Sequence, residues 1–104
     1  MRVVIIEPGQ VAEIREIEPG LKSLQTLVGG YIECLHFEND ICLIVNEEGK
    51  IHNLPSNRIC FHGDRLVGSV IIVNTSGEDF CSLTEKEAED YKWKFLNTKM
   101  VVNI

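Results

Sequence analysis

The sequence predicts an α+β fold: a single domain built on a mixed sheet of about five or six strands with two helices. Three observations predict it. Short β-branched runs such as Val3–Ile6, Ile41–Val45 and Val70–Val73 recur between turn-forming residues. Two segments instead place apolar residues at helical spacing, Leu21–Val28 and Ala88–Phe95. The chain is 104 residues long and 44% apolar, which is enough for one modest core and too little for two.

Taken in order, Arg2–Ile6 reads as a strand, and Pro8-Gly9 turns the chain into a hairpin partner over Val11–Ile17. After Glu18-Pro19-Gly20, the residues Leu21, Leu24, Leu27 and Val28 form one helical face, and Gly29-Gly30 supplies a left-handed cap. Tyr31–Phe37 and Ile41–Val45 are paired strands about the Glu38-Asn39-Asp40 turn. Asn46–Lys50 has turn composition, Ile51–Leu54 reads as a short strand, and Ile59-Cys60-Phe61 packs before the Gly63-Asp64 turn. Leu66–Val73 is almost wholly apolar, as a central strand buried on both faces must be. Thr84 and Glu87 have capping-box spacing, so a second helix starts there and buries Ala88, Tyr91 and Phe95. The domain is expected to span residues 1–96, with 97–104 a tail whose Met100–Val102 could form a strand. Ile5, Leu24, Leu27, Leu43, Val70, Ile72, Tyr91 and Phe95 are the expected core.

Charge narrows the function classes. Sixteen Asp and Glu against ten Lys and Arg give a net charge of −6, which disfavours nucleic acid because phosphates need a basic surface. No apolar run approaches a membrane span, and the N-terminal run is too short for a secretory signal. A cytoplasmic protein is expected. The cysteines at 34, 42, 60 and 81 are then expected as thiols. Cys34-x-His36 and Cys60-x-His62 would each put two metal ligands on one strand face, but this spacing is foreign to structural zinc sites, so no metal and no cofactor is expected.

No nucleophile elbow, phosphate-binding glycine loop or metalloprotease helix occurs. His36, His52 and His62 stand outside any catalytic motif. The densest polar segment runs from Asn46 to Arg65. Within it Asn46, Lys50, Asn57 and Arg58 are donors suited to a small anion, with Arg58 able to grip an oxyanion by two bonds. The plainer account is that the asparagines stabilise turns and the charges are solvated. Trp93 falls opposite the apolar face of its helix, where it would cover the C-terminal tail, join an oligomer or stack on a planar ligand.

Several segments carry a resemblance: Glu7-Pro8-Gly9, Leu24-Gln25-x-Leu27-Val28-Gly29-Gly30-Tyr31-Ile32-Glu33, Asn46-Glu47-Glu48-Gly49-Lys50, Leu54-Pro55-x-Asn57-Arg58 and Gly77-Glu78-Asp79-Phe80-x-Ser82-Leu83-Thr84. Together they resemble a small family known as domain of unknown function 3846, common in phages and mobile elements of Gram-positive bacteria. The resemblance implies a habitat in a bacterial host and no activity. In that habitat, small acidic proteins lacking catalytic motifs often act by stoichiometric binding. The leading expectation is a non-enzymatic binding protein that sequesters a small anion, such as a nucleotide immune signal, through Asn46, Lys50, Asn57 and Arg58. The alternative is a protein–protein inhibitor of a host defence protein, using the acidic surface and Trp93, with a homo-oligomer formed through Trp93 or the tail also open. A third reading is an enzyme of unknown type using His52 or His62.

Overall fold

A five-stranded antiparallel sheet of order β2-β1-β7-β4-β3 organises the computed structural model. Residues 1–77 and 79–96 are described, together with the backbone of 100–102. The strands are β1 (Arg2–Ile6), β2 (Glu13–Glu16), β3 (Ile32–Glu38), β4 (Ile41–Asn46) and β7 (Val70–Asn74). A second sheet holds β5 (Ser56–Phe61), antiparallel to β6 (Asp64–Val67), with β8 (Met100–Val102) running parallel to β5. Helices α1 (Leu21–Val28) and α2 (Glu85–Lys94) complete the α+β fold. The expected tail at 97–104 lies outside the described residues at 97–99, 103 and 104, and so do the side chains of 100–102.

The central strands β1, β4 and β7 are buried along nearly their whole length, so their alternate side chains feed two separate cores. On one face α1 packs Leu24 and Val28 onto Val3, Ile5, Ile44, Ile71 and Val73. On the other face α2 and the β5–β6 hairpin pack Tyr91, Phe95, Ile59 and Leu66 onto Val4, Ile6, Leu43 and Ile72. The result is three layers. Every neighbouring pair in the sheet is antiparallel, so β2 and β3, at its opposite edges, run in the same direction. Helix α1 therefore crosses the entire face between them.

Helix ends follow their sequence signals. Gly29, at φ 80°, closes α1, and its amide and that of Gly30 both donate to the Gln25 carbonyl. The Thr84 hydroxyl accepts from the Glu87 amide while the Glu87 carboxylate accepts from the Thr84 amide. Of the expected core, Ile5, Leu24, Leu43, Val70, Ile72, Tyr91 and Phe95 are buried.

Three expectations need correction. Leu27 is only partly buried, because α1 lies with Leu24 and Val28 pointing down. Ile51–Leu54 is not a strand. The amides of His52, Asn53 and Leu54 donate locally to the carbonyls of Glu48, Lys50 and Gly49, coiling the segment on itself. Leu66–Val73 is not one strand: Gly68, at φ 73°, breaks it into β6 and β7, which belong to different sheets. The hairpin turn between β5 and β6 uses His62 and Gly63, both at positive φ, which matches the twist of a two-residue connection.

Candidate functional site

Of the four residues expected to share a pocket, Asn46 and Lys50 line a common cleft, and Asn57 and Arg58 are engaged elsewhere. Asn46 ends β4 on the α1 face and is 8% exposed. Its Nδ2 donates to the Val28 carbonyl at 2.9 Å, and its Oδ1 accepts from the Glu48 amide at 2.7 Å. It thereby fastens the end of α1 to the turn after β4. Asn57, on β5, is 1% exposed. Its Nδ2 donates to the carbonyls of Ile6 and Gly68, both at 2.9 Å, while its Oδ1 accepts from the Ile59 amide. It joins the second sheet to the first. Both asparagines spend their polar atoms on the backbone, as buried amides must.

Arg58 lies on the opposite face from Asn46. Its guanidinium donates to the Gln10 carbonyl at 2.8 Å, to the Leu96 carbonyl at 2.9 Å and to the Phe95 carbonyl. It caps the C-terminus of α2 and ties the loop between β1 and β2 to it, a favourable place for a cation at a helix end. Its Nε is buried with no partner among the described residues, and lost hydration holds its pKa below the usual arginine value. Lys50 is exposed and pairs with Asp64 across to β6. The expected four-member set is thus divided: Asn46 and Lys50 line one cleft, while Asn57 and Arg58 are bound to backbone carbonyls elsewhere.

What the structure does bring together is one end of the molecule, where the tightly coiled turn after β4 stands between two clefts. The cleft on the α1 side, about 310 Å³, is lined by Gln25, Gly30, Tyr31, Asn46, Glu48 and His52, among others. The cleft on the other side, about 140 Å³, is lined by Glu33, Glu47, Glu48, Lys50, Ile51 and Asp64, among others. Tyr31 is 67% exposed and Ile51 is 74% exposed. Glu47 is locked to Tyr31 by an amide-to-carbonyl bond of 2.8 Å, which fixes the turn against the start of β3. Sequence reading singled out Asn46 and Lys50 here but passed over Tyr31 and Ile51. Each was assigned to a strand whose pairing would have accounted for it.

His36 Nε2 contacts the Asn39 carbonyl at 2.8 Å, and the ring of His62 packs edge-on against Phe61. The Cys34 thiol is pushed up to about 12, chiefly by lost hydration and then by the Cys42 thiol beside it, the reverse of what an activated nucleophile needs. Among the described residues no group of three or more His, Cys, Asp or Glu is placed to hold a metal ion. No helix among them is long and apolar enough to cross a membrane. Trp93 is 71% exposed on the outer side of α2.

These features define a small three-layer α+β domain whose most exposed aromatic and aliphatic groups sit on loops and a helix surface. The chain belongs to the family described as domain of unknown function (DUF3846), which it matches over residues 1–96. No curated protein and no solved structure matches it.

Proposed function

We propose that this chain is a non-enzymatic binding protein that acts stoichiometrically on a protein partner, in the setting of a phage or mobile element and against a host defence protein in the bacterial cytoplasm. The observation that carries the reading is the end built from Tyr31, Ile51 and the turn between them. Two large apolar side chains stand mostly in solvent there, held on a backbone that is hydrogen-bonded to itself. Ordered, exposed aromatic and aliphatic groups beside concave surface are what partner proteins cover. The small-anion reading lacks such support, because Asn57 and Arg58 are spent on carbonyls and Lys50 on Asp64.

A photo-crosslinking residue introduced at position 51 tests the function in cells, with position 86 on the outer side of α2 as control. The expected result is one discrete protein adduct from position 51, none from position 86, and loss of the adduct with Tyr31→Ala. A melting temperature raised by cyclic or linear nucleotides, with no adduct at 51, would replace this function with ligand sequestration.

A further inference from the structure

We infer that the partner inserts a basic side chain, arginine or lysine, into the cleft between the end of α1 and the turn after β4. The inference rests on the proposed function and names the chemistry of its contact. Four observations converge on it. Helix α1 ends at this cleft with no basic residue in its last turn, so the negative end of its dipole has no charged complement from the helix itself. Glu48 lines the same cleft, and Glu33, Glu47 and Asp64 line the neighbouring one. Among the described residues Lys50 is the one lysine or arginine lining either cleft, and Asp64 already holds it. Tyr31 offers an exposed aromatic ring at the rim, a surface that attracts a cation over its face.

The apolar parts of the site agree. Ile51, next to His52 in the same turn, lines the neighbouring cleft and is 74% exposed. Long basic side chains carry an aliphatic stem that packs on such a group while the head reaches a carboxylate. A phosphate-bearing ligand would meet Glu48 and the negative helix end instead, so the same geometry that welcomes a guanidinium turns a nucleotide away. The site accordingly reads as specific for a basic segment of protein, in keeping with the chain's net charge of −6.

The test titrates the isotope-labelled protein with N-acetyl-arginine amide and follows backbone amides by NMR. N-acetyl-citrulline amide, the same shape without the charge, is the control. Saturable shifts are expected at Gly30, Tyr31, Glu48 and His52, with the citrulline compound weaker by about threefold or more. Tyr31→Ala and Glu48→Gln should each weaken the arginine response by about two- to fivefold without moving the melting temperature. Equal binding of the citrulline compound, shifts spread evenly over the acids of α2, or indifference to both substitutions overturns the inference. A position-51 adduct without a localised arginine response keeps the protein-binding function and removes the basic contact. A localised arginine response without an adduct keeps the cation cleft and removes the function.

Discussion

At the scale of the residue, the polar side chains that drew attention in the sequence are engaged by backbone. Asn57 satisfies two carbonyls and one amide in a position that water cannot reach. Arg58 gathers carbonyls from Gln10, Phe95 and Leu96. Asn57→Ala is expected to destabilise the fold by about 2–4 kcal/mol, since it leaves buried backbone groups unpaired. Arg58→Ala is expected to cost about 1–3 kcal/mol, chiefly through the freed carbonyls at the end of α2. Urea unfolding of the two variants checks both, and an Arg58→Ala protein as stable as the parent would return that guanidinium to the surface as a binding group. Sequence composition could not have made this assignment. A donor beside a proline looks the same whether it faces a ligand or another strand's carbonyl, and the deciding carbonyls at Ile6, Gln10 and Phe95 are distant in the chain.

At the scale of the element, local chemistry was readable wherever the signal was local. The capping box at Thr84, the glycine cap after α1 and the apolar runs of β1, β4 and β7 lie where their residue patterns place them. The pattern misled at two points. Ile51–Leu54 has strand-like composition, yet Gly49 allows the turn to lie close to β6: a Cβ there would come within 2.8 Å of Val67. Gly68 sits inside an apolar run that periodicity alone reads as continuous, and its positive φ sends the chain from one sheet to the other. Helix α1 carries a sharper lesson. Its four apolar residues looked equivalent, but the crossing over the sheet buries Leu24 completely and Leu27 only in part. Leu24→Ala should therefore cost about 2–5 kcal/mol and Leu27→Ala clearly less. Thermal unfolding of the pair measures the difference, and equal losses would mean that the helix is rotated from this orientation.

At the scale of the whole molecule, the antiparallel sheet partitions the interior. Leu24 belongs to the core beneath α1, and Phe95, stacked edge-on with Phe37, belongs to the core beneath α2. Substitutions in the two cores share no packing partner, so the free-energy losses of Leu24→Ala and Phe95→Val should add to within about 0.5 kcal/mol in the double variant. A double-mutant cycle by chemical denaturation measures the coupling, and a coupling well above that value would show that strain passes through the sheet. The α+β class and the burial of the central strands were legible because runs of four or five apolar residues fit no half-exposed strand. Strand order was not, since it depends on which edges meet across long loops. The partition bears on how such a sequence can change over generations. Each layer can be repacked by substitutions confined to itself, while the sheet holds the other unchanged. The end proposed for recognition, at Tyr31 and Ile51, stands on loops fastened by Asn46 and Glu47. Lineages could thus retarget the protein rapidly, drifting at that end under pressure from a changing partner, without renegotiating the stability of the scaffold that carries it.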